Sequence, residues 1–140
     1  MSKVAIVFWS GTGNTQAMAE ALEAALLQNG AETALLTAAE FTPDMVSSFD
    51  AIAFGCPAMG DEVLEETEFE PMFTSVESAL QGKKTGLFGS FGWGDGQWMR
   101  DWEDRARVAG AVLAADGVIA NDAPDDEALA SLTALAAALI

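Results

Sequence analysis

The sequence predicts an α/β fold: a doubly wound, five-stranded parallel sheet of order 2-1-3-4-5. Three observations lead there. Short continuous apolar runs of strand length, such as Val4–Phe8 and 51–55, suit strands buried on both faces. Segments with apolar residues at helical spacing alternate with them, which implies right-handed βαβ units. The loops after the first, third and fourth runs are rich in glycine and small polar residues. In such folds the strand ends at the topological switch carry the ligand, so function should be read there.

The elements follow in order. Val4 to Phe8 forms the first strand. Residues 13 to 28 carry Met18, Ala21, Leu22, Ala25 and Leu26 at helical spacing, and Asn29-Gly30 stops the helix. Thr33 to Thr37 is the second strand. Residues 38 to 50 contain Pro43 and leave room for a turn or two of helix. Ala51 to Gly55 is the third strand. A less regular helix occupies about 69 to 80 and ends before Gly82. Thr85 to Phe88 is the fourth strand, and Gln97 to Ala109 a further helix. Val112 to Ala120 is the fifth strand region, interrupted near Asp116-Gly117. Asp125 to Leu139 is a terminal alanine-rich helix, opened by Pro124 and the acids that follow it. There is no repeat, linker or low-complexity tract, so residues 1–140 read as a single domain.

Composition removes several classes of function. The chain has no histidine, which excludes a Ser-His-Asp triad and a histidine general base. One cysteine, Cys56, allows no internal disulfide and fits a reducing, cytoplasmic setting. Beside Pro57 it reads as a small apolar residue without a redox role. No run is long enough to span a bilayer, and no signal peptide precedes the first strand. Six Lys/Arg against 22 Asp/Glu give a net charge of −16, which argues against nucleic acid and against an anionic membrane surface. No basic residue lies between Lys3 and Lys83, whereas 13 acids do, six of them within Asp61 to Glu70. That run reads as a steering surface for a basic partner or as a field acting on a bound group. Nothing argues for an obligate oligomer, so the expectation is a monomer.

The first strand-end loop is Ser10-Gly11-Thr12-Gly13-Asn14-Thr15. Two glycines allow close backbone approach, four side chains add hydroxyl and amide donors, and the following helix adds its free N–H groups and the positive end of its dipole. That is a phosphate cradle made of neutral donors. It lacks the Lys-Ser/Thr of a triphosphate loop and the three-glycine spacing of a dinucleotide fold. The second loop runs Pro57-Ala58-Met59-Gly60-Asp61-Glu62. Met59 offers a polarisable apolar contact, Gly60 a flexible peptide, and Glu62 an acceptor for a ring N–H. The third loop, Ser90-Phe91-Gly92-Trp93-Gly94-Asp95-Gly96, isolates one tryptophan among three glycines, as a stacking platform would be. Together the loops ask for one ligand, with a phosphate at the first strand and a planar heterocycle between Met59 and Trp93. Flavin mononucleotide, FMN, meets these requirements.

These motifs also carry a family resemblance over essentially the whole chain. Residues 10–15, 58–62 and 92–96 resemble the phosphate loop and the two flavin loops of short-chain flavodoxins. The acidic run 65–70 and the segment Gln97-Trp98-Met99-Arg100-Asp101-Trp102 are similar to the same branch. Pro57 stands where some relatives place a serine, and Phe91 where a tyrosine is frequent. The resemblance implies a flavodoxin-like fold and a low-potential one-electron carrier rather than an enzyme. It implies non-covalently bound FMN that cycles mainly between semiquinone and hydroquinone. Partners would be basic-patched redox proteins, reductases and oxidoreductases, docking transiently at the exposed flavin edge. A small FMN-dependent reductase on the same fold is the alternative.

For the mechanism, the Gly60-Asp61 peptide is expected to turn a carbonyl toward the flavin. Asp61, Glu62 and the acids of 65–70, with no lysine or arginine expected beside the ring, are expected to oppose the second electron. Trp98 and Trp102, four apart on one helix, read as packing residues.

Overall fold

The computed structural model describes residues 2–140. Its elements are β1 (Lys3–Phe8), α1 (Asn14–Gln28), β2 (Glu32–Thr37), β3 (Ala51–Gly55), α2 (Phe69–Val76), β4 (Lys84–Phe91), α3 (Gln97–Val108), β5 (Val112–Leu113), β6 (Val118–Asn121) and α4 (Asp126–Leu139). All strands are parallel, in the order β2-β1-β3-β4-β5, and β6 pairs with β4 alongside β5. β5 and β6 are therefore two pieces of one interrupted fifth strand. After Ala114, whose N–H still donates to the Thr85 carbonyl of β4 at 2.9 Å, residues 115–117 leave the ladder, and the Glu103 carboxylate accepts the Gly117 N–H at 2.7 Å.

The central strands are apolar on both sides because both sides are covered. Val4, Ile6 and Phe8 pack with Ala51, Ala53 and Phe88 against Met18, Leu22 and Leu26 of α1 and Leu132, Leu135 and Leu139 of α4. Ala5, Val7, Ile52, Phe54 and Leu87 face the opposite way, toward Phe69 and Phe73 of α2 and Trp98, Met99 and Trp102 of α3. The period-two alternation of each strand thus feeds two cores. β2, at the sheet edge, is only half-buried. Trp98 and Trp102 are packing residues, each 2% exposed.

The connection from β2 to β3 holds two 3₁₀ turns, Ala38–Glu40 and Pro43–Ser48, instead of a crossover helix. Pro43 opens the second, and Phe41, Val46 and Phe49 still cover the sheet. α2 is shorter than the periodicity predicts and tightens into a 3₁₀ turn at Glu77–Ala79. Among the described residues no helix is long and apolar enough to cross a membrane.

Candidate functional site

The order β2-β1-β3 puts the topological switch between β1 and β3, and the loops leaving β1, β3 and β4 converge at their carboxyl ends. The ladder continues into those loops. Trp9 N–H donates to the Gly55 carbonyl at 3.0 Å, Cys56 N–H to Phe88 at 3.1 Å and Ala58 N–H to Ser90 at 3.0 Å. Gly89 permits the last two approaches, since a Cβ there would collide with the Cys56 carbonyl.

A cleft of about 320 Å³ lies between the loops, at the lower end of the roughly 300–1,000 Å³ common for small-molecule sites. Gly11, Thr12 and Asn14 line it from the first loop, Pro57, Ala58, Met59 and Gly60 from the second, and Ser90, Phe91 and Gly92 from the third. Ten residues nominated from sequence are thus brought together. The others stand around them. Ser10 shapes the first loop: its Oγ accepts the Gly13 N–H at 3.0 Å. Thr15 is buried, its hydroxyl 3.1 Å from that of Ser90, and it also accepts the Ser90 N–H at 3.3 Å. This pair ties the start of α1 to the end of β4. Glu62 closes a turn by donating its N–H to the Met59 carbonyl at 2.8 Å, and its side chain enters a neighbouring recess. Asp61 is exposed, Asp95 pairs with Arg100 at 3.0 Å, and Gly94 and Gly96 hold left-handed backbone, each with φ 89°.

Trp93 stands apart from the cleft lining: it is 61% exposed, next to Gly92. Trp9, which sequence reasoning did not single out, lines the cleft together with Phe91. Its ring packs on Gly11, and its indole N–H reaches Glu68 Oε1 at 3.3 Å. Asp122 was also missed. It follows β6 with φ 59°, donates its N–H to the Phe91 carbonyl at 2.8 Å, and lines the cleft. The Asn121-Asp122 pair after a strand was the available signal, since Asx residues tolerate left-handed backbone best.

The start of α1 favours an anion. Gly13, with φ 98°, stands at the start of α1. No side chain caps that helix and no acid occupies its first turn. Its leading N–H groups and dipole therefore point to the loop undiluted. A larger recess of about 490 Å³ lies along β6 and α4, but Asp116, Asp125 and Glu127 line it and would repel a phosphate. The smaller cleft is the candidate on that ground.

The acidic run is less uniform than its sequence. Burial pushes the Glu65 carboxyl upward. Hydrogen bonds from the Thr67 hydroxyl and from the N–H groups of Thr67, Glu68 and Phe69 outweigh it and hold the pKa at about 2. Glu70 is held below the usual carboxylate range by Arg105, which it meets at 2.7 Å, and Arg105 also binds Glu77 at 2.7 Å. Arg105 of α3 thus neutralises part of the run, while no lysine or arginine lines the cleft. Asp61, Glu66 and Glu68 remain exposed. Cys56 is buried, and burial pushes its thiol up to about 12, so it is inert near neutral pH.

The comparisons with known proteins agree with this arrangement. The flavodoxin family model matches residues 6–133. The chain belongs to the flavodoxin family. It is 47% identical to the flavodoxin of Megasphaera elsdenii over 123 residues, covering 88% of this chain and 89% of that one. It is 44% identical to the flavodoxin of Clostridium beijerinckii over 121 residues, covering 86% and 88%. The solution structure of two-electron reduced M. elsdenii flavodoxin superposes with a TM-score of 0.89, at 45% identity over 98% of this chain and 99% of that chain. Flavodoxins are small FMN-binding electron carriers and not enzymes, and the short-chain assignment stands.

The residues present fit FMN. An acid-free, uncapped helix start opens onto the cleft for the phosphate. Met59, Trp9 and Phe91 give the cleft apolar walls, and Glu62 brings a carboxylate beside it.

Proposed function

We propose that this chain works as one domain, a one-electron carrier of low potential that holds FMN non-covalently in the 320 Å³ cleft. The observation that carries the reading is the start of α1. In a chain of net charge −16, α1 and α3 start with neither a cap nor an acid, and of the two it is α1 whose first residue, Asn14, lines the 320 Å³ cleft. Bound FMN supplies the redox chemistry, passing single electrons mainly between its half-reduced and fully reduced forms. The protein's residues bind it, shield it and set its potential.

Binding starts at the phosphate. Ser10, Gly11, Thr12, Gly13, Asn14 and Thr15 present hydroxyls, an amide and backbone N–H groups to it, with no lysine or arginine lining the cleft. Pro57, Ala58, Met59 and Gly60 flank the ring on one side and Ser90 to Gly96 on the other. Trp93, exposed on its glycine-rich loop, is available as a second stacking face. Glu62 accepts from a ring N–H.

The Gly60-Asp61 peptide is the centre of the turn closed between Met59 and Glu62. It can offer either its N–H or its carbonyl to the cleft. Nothing lies within 4 Å of where a Gly60 Cβ would be, so the peptide has space to turn.

Acids that pair with no cation among the described residues oppose added negative charge on the ring. Unit charges about 10 Å apart at an effective dielectric of roughly 40 repel by about 0.8 kcal/mol. Asp61, Glu62, Glu66 and Glu68 together reach about 3 kcal/mol before salt screening, on the order of 100 mV for one electron. The same acids suit transient docking on redox proteins with basic patches, with association that weakens as salt rises.

An anaerobic stepwise reduction followed by visible absorbance tests this. The expected course is a yellow oxidised spectrum, a long-wavelength-absorbing half-reduced form, then bleaching. Flavin that bleaches in one two-electron step, or a protein that takes up no FMN, would overturn it.

A further inference from the structure

Two buried side-chain polar atoms have no hydrogen-bond partner among the described residues: Oε1 of Glu62 and the indole Nε1 of Trp102. They are chemically complementary, since a carboxylate oxygen accepts and an indole N–H only donates. They belong to different elements. Glu62 ends the second-loop turn with φ 53°, and Trp102 lies in the middle of α3, 2% exposed. Yet both line one recess of about 150 Å³, which shares no residue with the FMN cleft.

The surroundings of the two atoms are set by packing. The Trp102 ring is set edge-on between Phe69, at 5.5 Å and 89°, and Phe73, at 5.8 Å and 78°. Its N–H direction is therefore fixed by packing. The Glu62 oxygen lies against Gly94, where a Cβ would stand 2.5 Å away. The one cation lining the recess, Arg105, is committed to Glu70 and Glu77. Both atoms have given up hydration, and a buried group left so is strongly disfavoured.

We infer that this recess is a water site, in which one water accepts from Trp102 Nε1 and donates to Glu62 Oε1. The chemistry selects a small neutral hydroxyl. A cation would pair with Glu62 but not with an N–H. An anion would take the N–H but face Glu62, Glu70 and Asp101 across the same recess. The space suffices, because a water needs only roughly 10–15 Å³ and two to four polar partners.

The consequence reaches the bound group and rests on the FMN reading. A carboxylate has about four acceptor sites on its two oxygens. The water anchors Oε1 to α3 and leaves Oε2 to accept from the ring N–H. Trp102 is then a positioning residue, which acts on the flavin only through Glu62.

Two measurements on the full chain decide this. The first is nuclear magnetic resonance of the indole N–H of Trp102, sought as a cross-peak to a long-lived bound water. The cross-peak is expected in the unsubstituted protein and lost in Glu62→Ala. An indole N–H with no bound-water cross-peak overturns the site. The second is a cycle of Trp102→Phe and Glu62→Ala, read as the Kd for oxidised FMN. Trp102→Phe is expected to weaken FMN by about threefold or more, and to do so only while Glu62 is present. Equal effects in both backgrounds overturn the positioning role and leave the carrier reading intact. Absence of FMN binding in the unsubstituted protein overturns the carrier reading, and the cross-peak still decides the water. Should Trp102→Phe not fold, the cross-peak in the unsubstituted protein carries the decision.

Discussion

The helices α1 and α4 pack together on one face of the sheet, yet they begin in opposite ways. α4 is closed by the chain itself. Asp125 accepts the Ala128 N–H at 2.8 Å, and Asp126 and Glu127 complement the dipole in the first turn. α1 begins at a left-handed glycine with no side-chain cap and no acid. Acids are abundant here, 22 of 140 residues, yet α1 and α3 both start without one, and of these α1 lies at the cleft. A capped start satisfies its own N–H groups and is finished. An open start keeps them for something else, and only the open one faces a cleft between strand-end loops. The open start together with the cleft, rather than the open start alone, is what makes α1 the candidate for the anion.

Asn14→Asp breaks the comparison most sharply, because it makes α1 begin as α4 does. Asn14 is the first residue of the helix and lines the cleft. A new carboxylate about 4 Å from a phosphate, at an effective dielectric near 20, repels by about 4 kcal/mol per unit charge. FMN affinity is expected to fall by about a thousandfold. The same acid complements the helix dipole, so the protein without FMN should gain about 0.3–1 kcal/mol. Riboflavin, which lacks the phosphate, should bind both variants alike. Fluorescence quenching with the two flavins checks the affinities, and a urea midpoint checks the stability. Equal losses for FMN and riboflavin would mean that the phosphate is not at α1.

α2 is a third case, served from upstream. Glu65 receives the N–H groups of Thr67, Glu68 and Phe69 from inside the fold. Its pKa is lowered from 4.5 to about 2, which at 1.36 kcal/mol per unit is about 3 kcal/mol of stability. The sign follows from the direction. A depressed folded pKa stabilises fully above the unfolded value, near 4.5, and that contribution disappears as pH falls toward 2. Glu65→Gln should therefore lower stability by about 3 kcal/mol at pH 7, with a difference from the parent that shrinks between pH 4.5 and 2. Denaturant midpoints across that range measure it, and a difference independent of pH would assign Glu65 a purely steric role.

The sheet was legible because its pattern is local. Val4–Phe8 and Ala51–Gly55 are apolar on successive residues, which only a strand covered on both faces requires. Even the break in the fifth strand showed, at Asp116-Gly117. The loop residues that line the cleft were legible for the same reason, as small donors between regular elements. What stayed hidden depends on side-chain direction across the fold. Trp9, just past the first strand, carries no glycine-rich signal, yet its ring packs on Gly11 of the first loop and lines the cleft. Asp122 comes from the last strand, far from every glycine-rich motif. The acids of 61–70 read as one field, whereas contacts that are distant in sequence fold Glu65 inward and pair Glu70 with Arg105.

The closed start of α4 gives the smallest effect and the control for the largest. Asp125→Ala removes the side-chain acceptor for Ala128 N–H and should lower stability by about 1 kcal/mol. For a chain of this size that is roughly 2–5 °C in Tm. Asp125→Asn keeps an acceptor oxygen and should recover most of the loss. FMN affinity should not change in either variant, because Asp125 lines the recess along β6 and α4 rather than the cleft. Calorimetry of the protein without FMN, beside an FMN titration, separates the two quantities. A fall in FMN affinity with Asp125→Ala would mean that α4 transmits strain to α1 across their shared core. Unchanged affinity with a lowered Tm would show that, of two neighbouring helix starts, one serves the fold and the other the phosphate.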